Sequence, residues 1–204
     1  GAILFLFGKL LRFFFFLSFL IILVTKTQAL AGYTFWQVLA FYLTFNFIDS
    51  TTQMFFRDVY RFRQQVLSGS FDFILLKPVH PLFRVLFGGA DLLDLITLVP
   101  FILFLMFVTY HIPGISLWGF FSYLILVTNA LFIATSFHIL VVSLAVMTTE
   151  IDHAIMIYRD FTSMGRFPIH IYAEPLRSFV TFAVPVGVMM TFPVDALLGI
   201  LRPN

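Results

Sequence analysis

Cysteine is absent from the 204 residues, which removes disulfides, thiolate metal sites and cysteine nucleophiles. Charge is scarce as well. Asp, Glu, Lys and Arg make up 11% of the chain, against about 25% in an ordinary soluble domain. The balance of +2, from 12 basic and 10 acidic residues, is too small to argue for a nucleic-acid partner. Soluble linkers, low-complexity tracts and a convincing internal repeat are missing, and so are the common enzymatic motifs. There is no G-x-x-x-x-G-K-S/T phosphate loop, no H-E-x-x-H and no G-x-S-x-G elbow. Gly8-Lys9 sits inside an apolar run without the strand and glycine spacing that a phosphate loop needs.

What the chain does contain is apolar. Hydrophobic residues account for 61%, aromatics for 19%, and phenylalanine alone for 30 positions. A 23.5 kDa globule has no interior large enough for them, so a soluble domain is excluded, and with it intrinsic disorder. Six spans of about 20 residues would use roughly 120 positions and leave about 84 for loops, with no room for a separate soluble catalytic domain. Residues 1–204 therefore read as one all-α, polytopic transmembrane bundle, with six spans expected and five as the alternative. The first residue is glycine rather than methionine, and the natural N-terminus is expected to be missing.

The first apolar stretch, residues 1–24, carries Lys9 and Arg12 near its start. A signal peptide would place such cations before an apolar core and a small-residue cleavage site. Residues 2–7, however, are as apolar as the core itself, so an uncleaved span is expected. A second span is expected over 33–56, with Tyr33 and Trp36 at the outer interface. Residues 57–84 are the most polar stretch and hold Arg57, Arg61, Arg63, Lys77 and Arg84. The positive-inside rule makes this loop and the N-terminus cytoplasmic. A third span is expected over 90–110, a long one over 117–147 and a last one over 178–201. The charges at 150–160 leave a crossing between them open.

Two polar stripes lie inside these spans. Asn46, Asp49, Ser50 and Gln53 fall on one helical face at i, i+3, i+4, i+7. Asn129, Ser136 and Ser143 recur every seven residues beside Thr128 and Thr135. A carboxylate in the bilayer costs about 2.5–3.5 kcal/mol on insertion scales, so Asp49 is expected to face protein or water. Such stripes either line a hydrophilic passage or mediate helix packing, and both readings stay open here. Pro185 and Pro193, with Gly187 between them, mark a break in the last span. His138, alone on an apolar helix, is expected to be packed or hydrogen-bonded. Asp91 and Asp94, with Glu150, are the residues a membrane enzyme acting on lipid phosphates would use. The alternative reading pairs the aspartates with the arginine-rich loop, for instance with Arg84. Glu150, Asp152 and His153 are read as a solvated turn rather than a metal site.

The strongest constellation is in the basic loop. Gly69 permits a turn, Asp72 starts a short helix, and Pro78 and Pro81 stop it. Phe71, Ile74, Leu75 and Leu76 are expected to be exposed beside Lys77. An apolar element on a cytoplasmic loop is covered by the membrane surface or by a partner's groove. Gly69, Phe71, Asp72, Leu75, Leu76, Pro78, Pro81 and Leu82 match the loop pattern G-x-h-D-x-x-L-L-x-P-x-x-P-L. Farther on, Pro168, Tyr172, Leu176 and Arg177 precede a proline-containing last span. In both respects the chain resembles the permease subunits of ABC exporters, the ABC-2 family transporter proteins.

The resemblance implies a permease subunit of about six helices working as a dimer with a second copy or a paralogue. It also implies a separate ATP-binding cassette subunit that binds the ATP, so the chain itself would need no cofactor or metal and carry no catalytic residue. Residues 69–82, Lys77 among them, would form the main coupling element and 148–152 a secondary one. Residues 168–176 would be re-entrant, and Gly88-Gly89 a flexible joint. Asn46, Asp49, Ser50, Gln53, Asn129, Ser136 and Pro185 are the candidates for the translocation path. The expected cargo is a hydrophobic or amphipathic molecule, and the expected location is the plasma membrane, in a prokaryote the inner one. A non-transporting membrane scaffold is the remaining alternative.

Overall fold

A computed structural model describes residues 2–27, 30, 32–90, 92–147 and 151–201. All regular elements there are helical. They are α1 (Ala2–Thr27), α2 (Phe35–Phe55), α3 (Phe62–Leu67), α4 (Ser70–Leu75), α5 (Pro81–Phe87), α6 (Leu92–Tyr110), α7 (Leu117–Met147), α8 (Ile151–Met164), α9 (Leu176–Ser178) and α10 (Val186–Leu197). Helix is the only element that satisfies its backbone within a single segment, as an apolar solvent demands.

α2 is the axis of the bundle. Most of its length is buried, and it packs most extensively on α6, while α10 packs on α7. The main apolar core joins Phe13, Leu20, Phe41, Ile48, Phe101, Val127 and Met189 from α1, α2, α6, α7 and α10. A second, smaller core holds Phe56, Val59, Phe62, Val85 and Leu86 against Val141, Val142 and Ala145 of α7. The first core carries the spans. The second ties the basic loop to the end of α7.

By length and composition, two described helices can cross a membrane, Phe7–Lys26 and Leu117–Met147, with a third if the bent pair Leu176–Ala183 and Val186–Leu197 counts as one. The expected six are reached only in part, and the physical reasons differ by helix. α2 carries Asn46, Asp49, Ser50, Thr51, Thr52 and Gln53, which lowers its hydropathy, yet it is a buried helix that has little lipid to face. α8 has 14 residues, about 21 Å at 1.5 Å per residue, and falls short of a core about 30 Å thick. The last expected span, 178–201, is not straight. It breaks at Val184–Pro185 with a bend of 92°, and the five residues Phe179–Ala183 before the break are wound as a π-helix. Proline lacks the N–H that the next turn requires.

The helix order gives the molecule two distinct ends. Lys9, Arg57 and Asp94 meet at one of them. At the other, Trp36 at the start of α2 stacks on His111 beyond α6, with ring centroids 4.5 Å apart. α10 ends there too, because a Cβ on Gly119, at the start of α7, would lie 3.0 Å from the carbonyls of Ala196 and Leu197.

Candidate translocation cleft and coupling face

Asp94 opens α6 almost fully buried, 2% exposed. Its two oxygens accept from Lys9 Nζ at 2.9 Å and Arg57 Nη2 at 2.7 Å. Three elements are thereby pinned at one point, and two cations neutralise one carboxylate. Arg84, the partner anticipated from the sequence, binds Asp58 Oδ2 instead, at 3.3 Å. Arg84 lies on α5, which packs against the turn Arg57–Arg61 that holds Asp58. With its charge committed, Asp94 is a structural anchor and a poor ligand for a catalytic metal. Asp91 and Glu150 lie outside the described residues.

The α2 stripe faces a polar cleft between α1, α2 and α8. Two adjoining pockets of about 40 Å³ each share Arg12, Phe45, Asp49 and Arg166. Asn46 and Ser50 line one of them, and Gln53, Thr52, Tyr60 and Arg159 line the other. Asp49 accepts a hydrogen bond from Gln53 Nε2 at 2.8 Å, and Asn46 Nδ2 donates to the Tyr42 carbonyl at 2.7 Å. Arg159 lies over the Tyr60 ring and Arg166 over the Phe16 ring, each 5.9 Å from the centroid. Burial pushes the Tyr60 hydroxyl up to about 12; the Asp49 charge adds to this and Arg159 opposes it. Tyr60 therefore stays a neutral donor at any physiological pH.

Beside this cleft lies an apolar cavity of about 260 Å³ between α7, α8 and the break before α10. It abuts the cleft across Tyr158 and Thr162, which line both. Val184 and Val186 border it on either side of Pro185, so the proline break belongs to this cavity rather than to the polar stripe. Asn129 and Ser136 join neither. They stand exposed on the outward face of α7, opposite its buried row of Val127, Ala130, Ala134 and Val141. The Ser136 hydroxyl bonds back to the Phe132 carbonyl. His138 is packed as expected, stacked on Phe56 at 4.5 Å with Nδ1 2.8 Å from the Ala134 carbonyl.

The coupling loop is a chain of short helices. Gly69 caps α4 with a φ of 72°, a left-handed conformation that suits glycine. Pro81 starts α5 at its first turn rather than ending α4, where the missing N–H costs nothing. Phe71 and Ile74 are half-buried, a correction to the expected exposure: the Phe71 ring meets Phe62 edge-on at 5.0 Å. Phe73, at 71% exposure, takes the outward place beside Leu75 and Leu76 at 52% and 81%. Asp72, Lys77 and Pro78 are exposed, and Leu82 packs on the second core. Gly88 and Gly89 are sites of close approach. A Cβ on Gly89 would lie 2.0 Å from the Asp58 carboxylate. The secondary coupling turn at 148–152 falls largely outside the described residues, since 148–150 are not among them.

Sequence reasoning missed Asp195. This α10 residue is buried, 3% exposed, and accepts from the Tyr33 hydroxyl, with His170 Nε2 at 3.0 Å. It closes the end of the molecule opposite Asp94. The available signal is an isolated carboxylate in an apolar stretch, which a membrane protein retains only with a partner.

Residues 10–204 match the model of a known family, described as ABC-2 family transporter protein. No curated protein and no solved structure matches the chain.

Proposed function

The chain belongs to the ABC-2 family of transporter proteins, and from that premise we propose that it is the permease subunit of an ATP-driven exporter, with ATP bound and hydrolysed by a separate ATP-binding cassette subunit. The observation that carries this reading is the apolar tip of α4. Phe73, Leu75 and Leu76 stand exposed on a short helix whose other side is seated, through Phe71 and Phe62, on the core shared with α7. Large apolar groups held out by a braced helix suit a partner's groove.

The bracing supplies a mechanism. A push on α4 passes through Phe71 to Phe62 and the second core, which contacts Val141, Val142 and Ala145 of α7, with Ile155 of α8 packed against it. α8 carries Arg159 into the polar cleft. Motion of the partner would thus reach the cleft through packed side chains, and interiors at this density transmit strain. A second permease copy completes the passage, and Asn129 and Ser136 on the outward face of α7 are the residues we assign to that side. The cargo is hydrophobic or amphipathic, and the basic loop faces the cytoplasm of a plasma membrane.

The test is co-expression with the ATP-binding cassette subunit of the source genome. Asp72→Arg, or replacement of Pro78 and Pro81 together, is expected to leave membrane insertion intact while abolishing capture of that subunit and stimulation of its ATPase. Unchanged capture by both variants overturns the reading.

A further inference from the structure

The cleft between α1, α2 and α8 is short of negative charge. Arg12, Arg159 and Arg166 converge on it, and Asp49 is the single carboxylate lining it. Among the described residues none of these arginines has a carboxylate within salt-bridge distance; Lys9, which also lines the cleft, is committed to Asp94. Three guanidiniums and one carboxylate leave a surplus of two positive charges. Arg12 can reach the interface along its stem, but Arg166 turns inward onto Phe16, about two helical turns along α1 from Lys9. Arg166 is half-buried while Arg12 and Arg159 are exposed, so the three guanidiniums form an open cationic mouth that an anion from outside can neutralise.

A second observation points the same way. Thr52 lines the cleft, is 4% exposed, and its Oγ1 has no hydrogen-bond partner among the described residues. Buried hydroxyls are normally satisfied, so this one is available to an acceptor. The neutral Tyr60 hydroxyl offers another donor on the same wall. Guanidinium forks with hydroxyl donors are the chemistry that holds phosphate oxygens.

Beyond Tyr158 and Thr162 the lining changes character. The adjoining 260 Å³ cavity is bounded by Leu140, Val141, Leu144 and Phe161, and Leu140 and Leu144 are themselves exposed, so the cavity opens at the surface of the bundle. A cationic, donor-rich cleft beside an apolar cavity that opens sideways matches a molecule with a charged head and a hydrocarbon tail.

We propose that this pair of compartments binds a phosphate-bearing anionic amphiphile, with the headgroup on Arg12, Arg159 and Arg166 and the tail in the cavity at the Val184–Pro185 break. As a statement about cargo this rests on the permease reading; as a statement about binding it stands without it.

The test titrates the full chain in neutral detergent with a short-chain phosphatidylglycerol, the matching phosphatidylcholine, and inorganic phosphate. Phosphatidylglycerol is expected to bind at least tenfold more tightly than phosphatidylcholine. Arg159→Gln and Arg166→Gln are each expected to weaken it roughly tenfold, the loss of one charge-assisted contact. Asp49→Asn, which keeps shape and removes the competing anion, is expected to tighten binding several-fold, and it decides the matter should the arginine variants misfold. Equal affinity for the two lipids, or no response to Asp49→Asn, overturns the proposal. Inorganic phosphate binding as tightly as the lipid overturns the assignment of the tail to the apolar cavity. Capture of the ATP-binding subunit is scored separately. Capture without lipid selectivity sinks this site and spares the permease, and selectivity without capture does the reverse.

Discussion

Lys9 Nζ lies 2.9 Å from Asp94 Oδ1, although 85 positions separate them in the chain. With Arg57 on the other oxygen, the contact staples the start of α1, the end of α2 and the start of α6. Removing one member of a buried pair leaves an uncompensated charge and costs about 3–5 kcal/mol. Asp94→Ala is therefore expected to destabilise the protein by that order, because it takes the carboxylate away from the largely buried Lys9 ammonium. Joint replacement of Lys9, Arg57 and Asp94 by apolar residues of similar volume is expected to cost less than Asp94→Ala alone. Equilibrium unfolding in mixed micelles measures both, and a triple variant no better than the single one would refute the charge argument.

Two glycines on the same side of the molecule are expected to respond oppositely to alanine. Gly89 has the Asp58 carboxylate where its Cβ would go, whereas Gly8 has open space. Gly8→Ala is expected to stabilise α1 by about 0.5–1 kcal/mol through helix propensity. Gly89→Ala is expected to destabilise by about 1–3 kcal/mol, as over-packing does, by displacing Asp58 from Arg84. Paired melting curves read the sign directly.

At the opposite end, burial first and the Asp195 carboxylate second push the Tyr33 hydroxyl far above the usual tyrosine value. A group raised on folding contributes stability below its unfolded value and loses it as pH rises beyond. That contribution is full up to about pH 10 and declines above it. Tyr33→Phe removes a donor from a buried carboxylate and is expected to cost about 1–3 kcal/mol near neutrality. The gap between wild type and variant is expected to narrow above about pH 10. A gap that stays constant to pH 11 would separate the stability from this hydrogen bond.

Gly69 holds its left-handed conformation ahead of α4 with nothing near its Cβ position. Replacement by alanine is expected to cost about 1–2 kcal/mol from backbone strain alone, and replacement by asparagine less. If α4 is the coupling element, Gly69→Ala lowers ATPase stimulation more than Gly69→Asn, at unchanged expression. Equal stimulation by both would detach the turn from coupling.

Apart from the last, 178–201, which is broken at Val184–Pro185, the helices expected from hydropathy are found within a few residues. Residues 33–56 become Phe35–Phe55, 90–110 become Leu92–Tyr110, and 117–147 match α7. These boundaries are legible because length and apolarity are properties of the chain itself. The polar stripe of α2 is legible for the same reason, since spacing alone puts Asn46, Asp49, Ser50 and Gln53 on one face. The identical argument applied to α7 yields a stripe whose destination is different: Asn129 and Ser136 turn outward. Periodicity defines a face but not what the face meets.

Composition settled the solvent, and with it the helical class, because apolar surface and bilayer thickness are local constraints. Partnership was decided in three dimensions. Asp94 takes Lys9 and Arg57 rather than nearby Arg84, Asp195 takes Tyr33 and His170, and Phe71 turns in where Phe73 turns out. Coulomb attraction and side-chain contact act over a few ångströms, so they depend on which helices end side by side, and no sequence separation encodes that.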